Sequence, residues 1–242
     1  MSLMNQQNGF TLVEMAVVLM IVGLLLGGLL PTLSSQVEQQ RTNETRKQLD
    51  EIQQALIGFA IVYGRLPCPA PPVAVSGVES PAGGGICTNP DDGFVPAATL
   101  GLSGVDSSGF VVDSWGNRIR YAVTAWTSAG IDVFTTAGGM STVGISNLSP
   151  NLLVCSSSTA SGFNGSSCGT NNALTSSPGV PVVIFSTGKN GAQGSAGLDE
   201  QANTNSDRVF VSHTPTPDFD DLVIWLSPNI LYNRMVTAGK LP

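Results

Sequence analysis

The sequence predicts an α+β fold: a long N-terminal helix, membrane-spanning in its first half, packed on an antiparallel β-sheet. Three observations carry that expectation. From Phe10 to Leu30 the chain has 21 residues and a single charge, Glu14; as a helix they would span about 31 Å, close to the thickness of a bilayer's hydrocarbon core. Apolar residues then recur at Leu49, Ile52, Leu56, Phe59 and Tyr63, spaced by three and four as in a core-facing helical stripe. After Cys68 come short β-branched or aromatic runs bounded by Gly, Asn or Pro, which read as strands.

The apolar run is not a secretory signal peptide. That would need a basic n-region, an apolar stretch of about 7–15 residues and a small-residue cleavage site. Residues 1–9 carry no Lys or Arg, the run is longer, and no A-x-A site comes after it. A plain anchor gives Glu14 nothing to do, although a carboxylate in such a segment is costly and marks function. Gly9, then "FTLVE", the apolar run, and Pro31 as the 22nd residue counted from Phe10 together resemble the leader of the type IV pilin-like and type II secretion pseudopilin family.

The resemblance implies a pilin-like fold, cleavage by a prepilin peptidase between Gly9 and Phe10, and N-methylation of Phe10. It also implies assembly with other pilin or pseudopilin subunits into a filament. Glu14 then gains a partner, the Phe10 amine of a neighbouring subunit, and pairing lowers a penalty that neither buried charge bears well alone. One feature departs from the family pattern. Such leaders usually carry Lys or Arg, whereas here Arg41, Arg46 and Lys47 come after the span, and the positive-inside rule alone would put the C-terminal part in the cytoplasm. The leader motif and the cysteines favour the opposite orientation: one pass of a bacterial inner membrane, with the C-terminal domain in the periplasm.

In chain order, the expected division is a leader over 1–9, a transmembrane helix over 10–30, a continuing amphipathic helix over 31–66 and a globular domain over 67–242. Pro31 lacks an amide hydrogen and is expected to kink or locally melt the helix, in the region where the resembling family bends or unwinds to fit a filament. The stretch "EQQRTNETRKQ" is polar all round and should be solvated or packed against neighbouring subunits. Gly64 followed by "RLP" stops the helix. The runs "RIRYAVTAW", "IDVFTT", "PVVIFST", "DRVFVS" and "DLVIWLS" are expected to form one antiparallel or meandering sheet against the helix stripe. A last short helix, "PNILYNRMVTA", has Ser227 as its cap, Pro228 at its first position and Gly239 as its stop.

The whole chain has 242 residues, a formal charge of −7 and a pI near 4.5, with 11% charged residues. The part beyond the span is long enough for one globular domain with its own core. An acidic balance without a basic cluster argues against nucleic acid as a partner. Cys68, Cys87, Cys155 and Cys168 form no C-x-x-C, and His213 is the only histidine, which disfavours zinc. Nearest-neighbour bridges, Cys68–Cys87 and Cys155–Cys168, would each close a Gly/Ser-rich loop; the other two pairings and free thiols stay open. Disulfides would imply an oxidising compartment.

Two further stretches extend the resemblance. "DSWGNRIRYAV", with Asp113, Trp115, Gly116 and Tyr121, is similar to a pseudopilin segment in which Asp, Trp and Gly precede an aromatic strand; it also reads as a tight turn with a buried Trp. "STGKNGAQGSAGLDEQANTNSD" has neither P-loop nor EF-hand spacing. It lies where the major pseudopilins it resembles hold a calcium ion, which makes Asp199, Asn203, Asn205 and Asp207 candidate ligands. Asp218, Asp220 and Asp221 are weaker candidates for the same ion, and Asp220 and Asp221 are expected on opposite faces of a strand. The plainer reading of the stretch is an Asx-rich turn between two strands. His213 reads as a surface histidine in a Pro-rich turn. No convergent catalytic set is legible, so a structural subunit is expected and not an enzyme; a membrane-tethered binding module or enzyme on a pilin-like stalk is the alternative.

Overall fold

The computed structural model describes residues 9–73, 76–194 and 197–242, with the side chains of 26–33 and of 193 excepted. In chain order its elements are α1 (Leu12–Tyr63), β1 (Gly93–Phe94), α2 (Ala97–Leu100), β2 (Arg120–Val123), β3 (Thr127–Ser128), β4 (Ile131–Asp132) and α3 (Gly139–Val143). Next come β5 (Leu153–Cys155), β6 (Phe163–Asn164), β7 (Ser167–Cys168), β8 (Val182–Ser186), α4 (Leu198–Asn203), β9 (Val209–Val211), β10 (Leu222–Leu226) and α5 (Pro228–Thr237). The chain divides into two compact units, Met1–Asn43 and Glu44–Pro242.

Among its described residues the first unit is helical from Leu12 onward. Every side chain from Phe10 to Leu25 is exposed, Phe10 at 85% and Leu12 at 90%. A helix apolar on all sides is stable only in apolar surroundings. Among the described residues no helix is long and apolar enough to cross a membrane; the Phe10–Leu30 run passes at residue 26 into positions whose side chains are not described. α1 continues through Pro31, so the expected local melting is not found. Proline removes one backbone bond, and helical hydrogen bonding on both sides of it keeps the helix formed. The Pro31 side chain itself lies outside the described residues.

In the second unit, the last turns of α1 cover a four-stranded antiparallel sheet of order β1-β2-β8-β10. Leu49, Ile52, Leu56 and Phe59 are buried as the periodicity predicts, but Tyr63 is 57% exposed. Gly64, at φ +67°, turns the chain, so that buried Ala60 and Leu66 complete the stripe in its place. Tyr63 instead rests on Phe59, ring centroids 4.3 Å apart. Burial of each of Leu49, Ile52 and Leu56 contributes about 1.5–3 kcal/mol. The polar stretch before the stripe is not all solvated: Thr45 is buried and its Oγ1 accepts the Ser114 amide at 3.2 Å, and Gln48 Nε2 donates to the Val112 carbonyl at 2.9 Å.

Strand alternation divides the sheet residues between two cores. Tyr121, Val123, Val182, Ile184, Leu222 and Leu226 join the helix-side core. Ala122, Val183 and Phe185 join a second core with Leu152, Val154 and Phe210. That second core corrects the single-sheet expectation. Val209–Val211 pairs in parallel with β5, outside the main sheet, and "IDVFTT" yields only the two-residue β4. β8 is therefore buried on both faces, which explains its unbroken apolar run. The C-terminal helix forms as expected behind Ser227 with Pro228 in its first turn, but the Ser227 side chain makes no cap bond.

The cysteines are paired as Cys68–Cys87 and Cys155–Cys168, with both Cα–Cα distances 5.4 Å. The first loop is fastened by a buried ion pair. Arg65 donates from Nη1 to Glu79 Oε2 at 2.8 Å and from Nη2 to Oε1 at 2.7 Å, the side chains 7% and 5% exposed. The Cys68 and Gly83 amides also donate to Glu79, at 3.0 and 3.3 Å. Denatured protein from an oxidising compartment should take up no thiol label before reduction and label at all four cysteines after it. Reduction should cost about 3 kcal/mol per loop in the chain-entropy account. Labelling without reduction would remove the support that the cysteines lend to a periplasmic domain.

Candidate functional site

The N-terminal segment combines an accessible peptide bond with a defined polar geometry. Gly9 and Phe10 precede the helix in non-helical backbone, and both are exposed. α1 begins at Leu12, which makes Thr11 its N-cap and Glu14 its third helical residue. The Thr11 amide and hydroxyl both donate to Glu14 Oε2 at 2.8 Å, and the Glu14 amide donates back to Thr11 Oγ1 at 3.3 Å. This is a capping box, two otherwise orphaned amides of the first turn satisfied reciprocally, with the carboxylate at the positive end of the helix dipole. Hydropathy presents Glu14 as an isolated charge, yet the T-x-x-E spacing that defines the box stands in "FTLVE" itself. A Cβ built on Gly9 meets nothing within 4 Å, so a side chain there would leave the chain's own structure unchanged.

The candidate calcium residues are distributed among three sets of contacts. Asp199 Oδ1 accepts the Ser158 amide and hydroxyl, both at 2.6 Å, and Oδ2 lies 3.1 Å from His213 Nε2. Burial raises the Asp199 carboxyl, but the Ser158 bonds and His213 outweigh it and hold the group below its usual range. Asn205 and Asp207 bond each other. Asn203 is buried and donates to Asp221 Oδ2 at 2.7 Å.

Asp221 belongs to a different carboxylate group. Glu200, Asp220 and Asp221 each place an oxygen within 4.8 Å of the others, a donor set of the hard type that a divalent cation takes. The opposite-face expectation for Asp220 and Asp221 does not hold, because both precede β10, which starts at Leu222. Burial pushes the Asp221 carboxyl up to about 7, against the bond from Asn203 and with the help of the neighbouring Glu200 and Asp220 charges.

His213 is not isolated. Besides Asp199, its Nδ1 lies 2.7 Å from the Thr214 carbonyl, and its ring stacks on Phe219 at 3.9 Å. The Ser158 hydroxyl donates to Asp199 and not to the imidazole, so these three residues are not arranged as a nucleophilic triad, in which the histidine would stand between. The "DSWGN" segment is a turn. Asp113 Oδ1 accepts the Trp115 and Asn117 amides at 2.9 and 2.8 Å, and Oδ2 accepts the Ser186 hydroxyl at 2.5 Å. Gly116 takes φ +89°, a conformation that favours glycine. Buried Tyr121 donates its hydroxyl to the Pro67 carbonyl at 2.9 Å.

A family model described as the prokaryotic N-terminal methylation motif matches residues 4–30. The matched span contains Gly9, Phe10, Thr11 and Glu14, and the motif is that of type IV pilin-like proteins. No curated protein and no solved structure matches the chain.

Proposed function

We propose that this chain is a structural subunit, a pseudopilin or minor pilin, of a type II secretion or type IV pilus filament, and not an enzyme. A prepilin peptidase cuts after Gly9 and the new Phe10 terminus is methylated. The mature chain waits in the inner membrane with the Glu44–Pro242 unit in the periplasm, then is drawn into a filament with other subunits. The observation that carries this reading is the methylation-motif match over residues 4–30. It is supported by the exposed Gly9–Phe10 bond, the uncovered apolar helix after it and the paired cysteines.

Replacing Gly9 by Val tests the first step. A peptidase subsite shaped for glycine excludes the larger side chain, while the chain's own structure has room for it. Co-expressed with a prepilin peptidase, wild type should be shortened and Gly9→Val should keep its leader. Equal processing of both would place the cut elsewhere. Gene order separates the two filament types: secretion-channel genes beside it for one, retraction-motor genes for the other.

A further inference from the structure

The second unit contains a polar cleft of about 470 Å³ whose lining includes Phe94, Arg118, Arg120, Thr187, Asn190 and Asp221, within the roughly 300–1,000 Å³ range of small-molecule sites. Arg118 and Arg120 lie two apart with buried Ile119 between them, so both side chains leave one face of the chain. Each guanidinium is fixed by one carboxylate: Arg118 Nε donates to Asp106 at 2.8 Å, and Arg120 Nη1 donates to Asp92. Aromatic rings hold the planes, Arg118 at 4.3 Å over Phe110 and Arg120 at 5.6 Å over Phe94.

Among the described residues, the two terminal nitrogens of Arg118, and Nε and Nη2 of Arg120, have no protein acceptor. They are positioned donors on half-buried side chains. Asp221, also in the lining, supplies an acceptor. We propose that this cleft binds a hydroxylated oxyanion of monosaccharide size, its anionic group on Arg118 and Arg120 and its hydroxyls toward Asp221. Inorganic phosphate lacks carbon-borne hydroxyls and glucose lacks a carboxylate, whereas a sugar acid offers both: a charged acceptor for the guanidinium nitrogens that Asp106 and Asp92 do not use, and hydroxyl donors for Asp221. The inference does not depend on the filament reading.

The test is calorimetric titration of the full chain in detergent micelles with glucuronate, glucose and inorganic phosphate. Glucuronate should bind saturably and at least about tenfold tighter than the other two, since a hydrogen bond to a charged group is worth about 1.5–3 kcal/mol. Arg118→Lys and Arg120→Lys keep the charge facing Asp106 and Asp92 but lose the fork, and each should weaken glucuronate about tenfold with the thermal transition retained. No saturable glucuronate binding, phosphate or glucose binding as tightly as glucuronate, or undiminished glucuronate binding by both folded variants would each overturn the assignment.

Discussion

Glu79→Ala should destabilise the globular unit by about 3–5 kcal/mol, the cost of breaking a buried ion pair from one side. The substitution removes both carboxylate acceptors of the Arg65 guanidinium and leaves its Nη1 the Leu66 carbonyl at 3.2 Å; the side chain is 7% exposed and cannot turn to water without unpacking its surroundings. It also leaves the Cys68 and Gly83 amides without the acceptor they use. At roughly 2–4 °C per kcal/mol for a chain of this size, the melting temperature should fall by about 6–20 °C. Arg65 also stacks over Phe59 at 5.0 Å, so the loss should spread to the end of the helix stripe. The double replacement Arg65→Met with Glu79→Leu removes charge and counter-charge together and should be far milder than Glu79→Ala. A single-variant loss under about 1 kcal/mol would mean that the pair is solvated, since exposed pairs are worth that little.

Glu14→Ala, Glu14→Leu and Glu14→Gln should all insert into the membrane and be cut after Gly9, and all should fail to enter filaments. Glutamine decides between two roles of this side chain. In the single chain Glu14 closes the capping box with Thr11, and glutamine serves that box as well as glutamate does. Losing the cap costs about 0.5–2 kcal/mol, too little to keep a long helix from forming. In a filament the carboxylate is cut off from water and needs a counter-charge, for which the free amine of a neighbouring Phe10 is suited; glutamine provides none. Shearing and fractionation after co-expression with the other subunits measures the outcome. Normal incorporation of Glu14→Gln with failure of Glu14→Ala would assign the requirement to the cap and not to the charge.

Features fixed by local chemistry were legible from the sequence. The stop at Gly64 and the start of α5 at Pro228 each depend on a few adjacent residues, whereas the sequence leaves the pairing of the four cysteines open and the fold decides it. The leader was local too, its glycine, acid and proline standing in one register. The capping box was just as local, but hydropathy made Glu14 look like an anomaly in an apolar run and hid its spacing from Thr11. Nonlocal pairings could not be read. Val209–Val211 has the same composition as the strands of the main sheet, and only its partner at Leu153–Cys155 puts it in the second layer. Arg65 looked like part of a stop signal and Glu79 like loop polarity, because nothing in their spacing announces a bond across 14 positions. Asp220 and Asp221 were assigned to a strand that begins one residue later, so the opposite-face rule was applied where it has no force.

The central claim, that this chain is a processed filament subunit, meets its most direct test at the N-terminus. Intact-mass and N-terminal analysis of the protein from membranes containing a prepilin peptidase should find a chain beginning at Phe10 with a methylated amine. A wild-type chain still carrying residues 1–9, or one cut at any other bond, would contradict it.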